Sequence, residues 1–388
     1  MNGGPDRSCE VDRADAAGPR AADLVFNVSD DGRLARSPAV RRLRRYLASL
    51  VPEGFPPSVS LAVVQPDGVV LEAFGGHACL VGESVPTTSG TCYDLASLTK
   101  VVCTTTLALL ARQRGSLDLE DPVVRWLPAY PQPRTTLRHL LTHTAGLVDH
   151  VPFYATAVGR DAIEAAVYAT APTSVPGEAV RYSDLGFMLL GWALEACLGR
   201  SLDEAFAVEV AAPLGLRRTR FRPPLAERRN TAATELDGDQ RPHPGLVWGQ
   251  VHDGNAFALG GVAGHAGLFA PLGELARFVQ SLLAPAPGRR LSPETLLSPE
   301  TTAFMSARQA ASAGDARGAG WRLEPEGWGT WPPGTMWHTG FTGTSLLVAP
   351  AMGTGVVLLT NSVHPRRRPD DQAAVRAEVH RMLAEALL

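Results

Sequence analysis

The stretch that most limits how this chain can fold runs from Ser97 to Gly115. Beyond Ser97, Val101, Val102, Cys103, Leu107, Leu109 and Leu110 fall on every side of a helix, separated by small Thr104, Thr105, Thr106 and Ala108. The first strong charges come at Arg112 and Arg114, and Gly115 supplies a C-terminal stop. A helix that is apolar all round has to be enclosed by other elements, so the fold is built around this segment. It nevertheless carries Lys100, the only lysine in a chain whose Lys and Arg together number 36. Arginine keeps its proton near neutral pH, whereas a buried lysine can release it, because desolvation disfavours the ammonium. Ser97 falls at the helix N-terminus, where free N–H groups and the dipole favour developing negative charge. Lys100, one turn on, shares its face. The pattern predicts a serine nucleophile and an amine base held by a single helix.

The elements on either side say what encloses that helix. From Ser37, the residues Val40, Leu43, Tyr46, Leu47 and Leu50 recur at helical spacing. Residues 59–64 and 69–74 read as strands joined by the turn Pro66-Asp67-Gly68, in which Pro presets one dihedral and Gly accepts positive φ. Helical patterns then dominate residues 115–256, at 135–142, 161–169, 184–198 and 202–210, broken by Pro- and Gly-containing loops. Another amphipathic helix is expected over 272–284. An Ala/Gly/Pro-rich stretch, 285–320, carries the helix start Ser298-Pro299-Glu300 but is otherwise loop-like. Short apolar runs return at 320–324, 335–341, 344–349 and 356–360, and Asp370 can cap a last helix lined by Val375, Val379, Leu383 and Leu387. The expected class is α/β (α+β): one antiparallel sheet built from both ends of the chain, flanked by helices, with an inserted all-helical subdomain. Residues 37–96 and 257–388 form its sheet part, 97–256 its helical part, and 1–36 a disordered tail.

Two further stretches add to Ser97-Leu98-Thr99-Lys100. Arg181-Tyr182-Ser183-Asp184 opens the helical pattern at 184–198, and His338-Thr339-Gly340 lies on a predicted strand. With these three in this order, the chain resembles the serine β-lactamase and penicillin-binding-protein superfamily. Its nearest likeness there is to class C β-lactamase-related hydrolases, esterases and D,D-carboxypeptidases. The family signatures are Ser-x-x-Lys, Tyr-x-Asn and Lys-Thr-Gly, with His-Thr-Gly as a variant. Residues 140–147 and 260–269 also look like family stretches, so the likeness spans about 40–388. It implies a β-lactamase/transpeptidase-like fold and an acyl-serine hydrolase that needs neither cofactor nor metal. Ser97 would be the acylated nucleophile, Lys100 would take or shuttle its proton, and Tyr182 would be partner base and later acid to the leaving group. The oxyanion would rest on the N–H groups of Ser97 and Phe341, while Thr339 and Gly340 present a strand edge to the substrate.

Two departures from the family pattern carry physical consequences. Asp184 stands where many members have Asn, and a carboxylate there favours the charged form of Lys100. His338 stands where β-lactamases commonly have Lys, so a group that titrates near neutrality replaces a permanent charge. His338 would then grip anionic substrates more tightly at low pH. Both departures weaken the expectation of efficient β-lactam hydrolysis. A true β-lactamase or D,D-carboxypeptidase, and a non-hydrolytic sensor that acylates and stalls, stay open as alternatives.

Other features exclude more than they suggest. His139 and His143 are four apart, but the residues between them lack the glutamate of the zinc-protease motif, which favours capping or buried roles. His265 is expected to pack a Gly-rich loop, and Arg366-Arg367-Arg368 to form a solvated turn. A net charge of −3 argues against nucleic acid or an anionic membrane as partner, leaving a small-molecule or short-peptide substrate. Five cysteines without Cys-x-x-Cys spacing read as free thiols in a reducing compartment. With no apolar core of signal-peptide length in the first 36 residues, the expected location is cytoplasmic. Nothing in the sequence sets the oligomeric state.

Overall fold

Both ends of the chain meet in one antiparallel sheet. The structure, a computed structural model, describes residues 24–29, 33–238, 245–283, 296–312 and 314–388. Across the sheet the strands run Val25–Val28, Gly68–Cys79, Ser58–Gln65, Thr354–Thr360, Ser345–Ala349, Met336–Thr339, Arg322–Leu323, Asp315–Arg317 and Ala310–Ser312. The expected hairpin therefore lies at the centre, beside the last strand, with Leu61 opposite Leu358 and Val63 opposite Val356. Alternate side chains of a strand point to opposite faces, and both faces are covered. Leu61, Val63, Leu347 and Leu358 pack with Leu43 and Leu47 of the helix Pro38–Glu53 and with Val379 and Leu383 of the C-terminal helix Pro369–Leu387. Ala62, Val64, Leu346, Val348 and Val357 face the other way, into the core that holds the Ser97 segment.

That segment is enclosed as its composition requires: Val101, Val102, Cys103 and Leu109 are all 0% exposed. It is not one uniform helix. A single 3₁₀ turn, Ala96–Leu98, leads into a π-wound stretch, Lys100–Thr105, and then the α-helix Thr106–Gln113. The Thr106 hydroxyl donates to the Val101 carbonyl at 2.9 Å, a local bond of the kind that competes with regular helix winding. Behind it runs the helix Asp184–Leu198, capped by Ser183, whose hydroxyl accepts the Gly186 N–H, and ended by Gly199 at φ 65°. Residues Leu185 to Leu194 of this helix are buried. Among the described residues no single helix is long and apolar enough to cross a membrane.

Three regions differ from expectation. Val25–Val28, read as tail, pairs with residues 71–74, and its alternation leaves Phe26 and Val28 half-buried against the sheet edge. Arg33–Arg36 forms a short helix that buries Leu34, while residues 1–23 and 30–32 of the expected tail lie outside the described residues. Within the Ala/Gly/Pro-rich stretch, 284–295 and 313 also lie outside them. The rest holds the Ser298-capped helix Pro299–Ser306 and a hairpin of two three-residue strands that extends the sheet. A second small sheet joins Cys92–Asp94, Leu268–Pro271 and Arg220–Phe221 just before Ser97.

Candidate active site

The turn that presents Ser97 is held from several directions. Ala96 is buried at φ 46°, a conformation that a non-glycine residue keeps only when its surroundings enforce it. Asp94 supplies the enforcement: its carboxylate accepts the Ala96 N–H at 2.8 Å and the His252 N–H at 2.6 Å. Thr342 and Thr344 donate their hydroxyls to the carbonyls of Asp94 and Leu95, at 2.7 and 3.2 Å. This ties the loop after Met336–Thr339 to the turn. A Cβ at residue 340 would overlap Thr344 Oγ1 and the Leu95 carbonyl, so the approach requires Gly340. Thr339, Gly340 and Phe341 thereby line the same cleft as Ser97.

Lys100 is fully buried and its ammonium donates three bonds. Nζ lies 3.0 Å from Ser97 Oγ, 2.7 Å from Asp184 Oδ1 and 3.2 Å from the His265 carbonyl oxygen. The Tyr182 phenol interacts with both Lys100 and Ser97, and its ring centre is 4.8 Å from Nζ. His143 stacks behind Tyr182 with ring centres 4.7 Å apart, and its Nδ1 accepts the Ser183 N–H at 3.0 Å. His139 instead caps its own helix with Thr136. His265 packs its loop, as expected, through Nε2 to Asp253 Oδ1 at 2.9 Å, while its carbonyl reaches Lys100.

The electrostatics follow from burial and pairing. Burial works against the charge on Lys100, but Asp184 and then Tyr182 outweigh it and leave the lysine above its ordinary pKa. Burial would raise Asp184, yet Lys100, with help from His150, holds its carboxyl far below the usual range. Burial lifts the Tyr182 phenol, and Lys100 offsets only part of the rise. At rest the group is therefore an ammonium, a carboxylate and a neutral phenol. Asp184, Asp253 and His265 place three potential metal-ligand atoms within 4.8 Å of one another. The bonds of Asp184 to Lys100 and of Asp253 to His265 already commit them.

His338 corrects an expectation. It lines the cleft but is 2% exposed, and burial, followed by the charges of Lys100 and Arg317, pushes its pKa well below the ordinary value. Its Nδ1–H donates to the Thr339 carbonyl at 2.9 Å. That direction favours the neutral ring and works against a cationic grip that strengthens at low pH. The positive charge comes from arginines instead. Arg317, Arg322, Arg367 and Arg376 line the 530 Å³ cleft together with Ser97, Tyr182 and Phe341. Arg367, read as part of a solvated turn, sits 4.2 Å over the Phe341 ring. Sequence reasoning also missed His150, whose Nδ1 lies 3.4 Å from Asp184 Oδ2, and Asp253. None of these residues belongs to a short motif that would have singled it out.

Comparison with known proteins gives the chain a family. The Beta-lactamase family profile matches residues 43–381. A relative from Escherichia coli (strain K12), "Putative D-alanyl-D-alanine carboxypeptidase", is 31% identical over 381 residues, covering 85% of each chain. A relative of the same name from Salmonella newport (strain SL254) is 28% identical and covers 84% of each. Among solved structures, "EstCE1, a hydrolase with promiscuous acyltransferase activity" superposes with a TM-score of 0.73 at 22% identity, over 91% of this chain and 99% of its own. "A class C beta-lactamase" does so with a TM-score of 0.68 at 19% identity, over 88% and 94%. At such identities the structural likeness speaks for the fold, while the profile and the relatives speak for descent. The chain thus belongs to the β-lactamase family, within the serine β-lactamase and penicillin-binding-protein superfamily.

Proposed function

We propose that this protein is a hydrolase that works through an acyl-enzyme on Ser97, with Lys100 and Tyr182 moving the protons. The observation that carries the reading is the fully buried Lys100 Nζ, 3.0 Å from Ser97 Oγ, with Tyr182 against both. The reactive form is the one in which the Lys100–Tyr182 pair holds one proton fewer than at rest; the two groups interact too closely to titrate separately. Ser97 Oγ then attacks the substrate carbonyl while its proton passes to that pair. The new oxyanion accepts from the Ser97 and Phe341 N–H groups, neither of which has a protein acceptor among the described residues. Tyr182 returns the proton to the departing alcohol or amine, the bond from carbonyl carbon to leaving group breaks, and Ser97 is left acylated. Water reverses the sequence, with the same pair accepting its proton.

The substrate is a small ester or amide, in keeping with a cleft of 530 Å³. The name borne by the relatives supports a D-amino-acid peptide as the natural one. Stoichiometric inactivation tests the reading. Turnover of 4-nitrophenyl acetate should vanish when one equivalent of a fluorophosphonate has reacted, and should withstand a chelator. Turnover that survives complete labelling, or that a chelator stops, would overturn it.

A further inference from the structure

We propose that Arg376, on the C-terminal helix Pro369–Leu387, is a positioning residue that holds the Gly340–Phe341 peptide in the orientation that serves the oxyanion. The inference rests on the reading above, in which the Phe341 N–H is one of the two oxyanion donors. The peptide is trans, so its Gly340 carbonyl points opposite to its Phe341 N–H, and whatever holds one fixes the other. Arg376 Nη2 donates to that carbonyl at 3.0 Å, and the Gly343 N–H takes its second acceptor position at 3.1 Å. The same Nη2 donates to the Thr344 carbonyl at 3.2 Å, which also accepts the Gly340 N–H at 2.8 Å. One guanidinium nitrogen thus clamps both ends of the turn 340–344.

Charge separates this contact from a simple tie. Gln372, one helical turn before Arg376, donates Nε2 to the Phe341 carbonyl at 2.9 Å, in the next peptide along. A neutral amide therefore suffices to anchor the loop to the helix. Burial works against the Arg376 cation and brings its pKa down to about 10, with no carboxylate among the described residues opposing the fall. The group is still charged at neutral pH, and burying a cation without a carboxylate is costly. Its placement gives that cost a use. A charged donor on a carbonyl polarises the whole amide and strengthens its N–H as a donor. It also sets a positive charge one peptide unit behind the position where negative charge develops.

Phenylboronic acid and 4-nitrophenyl acetate test this, and neither carries a carboxylate that an arginine could grip. Boron takes Ser97 Oγ as its fourth ligand and the Oγ proton passes to the Lys100–Tyr182 pair. The anionic adduct puts a boron-bound oxygen where the oxyanion forms. In Arg376→Met, affinity for phenylboronic acid and kcat/KM for the ester should fall together by about 10- to 100-fold, short of the roughly 10²–10³-fold that deleting an oxyanion donor costs. Arg376→Lys keeps the charge but shortens the reach, and both quantities should fall by a smaller, matched factor. Gln372→Leu, which releases only the neighbouring peptide, should leave both within about threefold of the wild type. Unmoved boronate affinity in the Arg376 variants, whatever happens to the rates, would mean that Arg376 only anchors the helix. An equal loss in Gln372→Leu would also overturn the proposal, because the effect would then belong to the loop as a whole. Phenylboronic acid that fails to bind the wild type, or binds Ser97→Ala equally, would instead overturn the Ser97 reading.

Discussion

The Lys100 corner and the arginine-lined wall share one cleft but differ in how far their charged groups are satisfied, although His143 Nε2 and His265 Nδ1 beside the corner also lack partners. In the corner, Lys100 uses its three donors on Ser97, Asp184 and the His265 carbonyl, and Asp184 takes His150 as well. On the wall, Arg317 Nε and Nη1, Arg376 Nε and His338 Nε2 are all buried without a partner. Groups that must stabilise developing charge gain most when they are oriented beforehand, because no reorganisation is then needed during reaction. Groups that recognise a substrate do the reverse, since their partner arrives with it. Under the function proposed above, the satisfied corner is the half that catalyses and the wall is the half left for the substrate to complete.

Breaking the corner gives the largest expected effect. Lys100→Met should lower turnover of the neutral ester by about 10²–10⁴-fold, as removal of a general base does. It should also destabilise the fold, by at most on the order of 3–5 kcal/mol, because half-buried Asp184 loses its main partner and keeps only His150. Lys100→Met/Asp184→Asn should regain most of that stability in urea denaturation and none of the activity. Wild-type turnover in either variant would reduce Lys100 to a structural charge.

The two halves were not equally legible in the sequence. Ser97 and Lys100 stood out by their spacing on one buried helix, and Tyr182 and Thr339-Gly340 through motifs that resemble those of the family. The effect of Asp184 on Lys100 could be anticipated for the same reason: the carboxylate belongs to a motif that faces the lysine. The helix Asp184–Leu198 was legible from its helical pattern, and the structure bounds it with the Ser183 cap and the Gly199 stop. Arg317 and Arg376 had no such contrast, since every cationic side chain other than Lys100 and the histidines is an arginine. The lowered pKa of His338 was equally hidden, because its burial and its approach to Lys100 and Arg317 arise only through tertiary packing. Strands as short as Asp315–Arg317 take their conformation from a neighbour and not from their own pattern.

A smaller effect sharpens the electrostatic side of the comparison. Asp184 holds Lys100 above its ordinary pKa, so Asp184→Asn removes a term that favours the ammonium. The deprotonated pair is then reached at lower pH, and the acid limb of the kcat/KM profile for the neutral ester should move to lower pH. A limb that stays in place, or moves up, would show that the proton lost on activation is not shared with Lys100.

The smallest effect is an expected constancy. With the pKa of His338 pushed down by burial and the arginines charged, the ratio of kcat/KM for 3-carboxy-4-nitrophenyl acetate to that for 4-nitrophenyl acetate should stay flat from about pH 5.5 to 8.5. The protons of the Lys100–Tyr182 pair act on both esters and cancel. A ratio that falls as pH rises would assign the grip to a titrating His338.

The claim beneath all of these is that the nucleophile is Ser97. Intact-mass analysis followed by peptide mapping, after reaction with a fluorophosphonate, tests it most directly. The wild type should gain one adduct, confined to the peptide that carries Ser97, and Ser97→Ala with an unchanged melting temperature should gain none. An adduct on another residue of the wild type, or one retained by Ser97→Ala, would contradict the account.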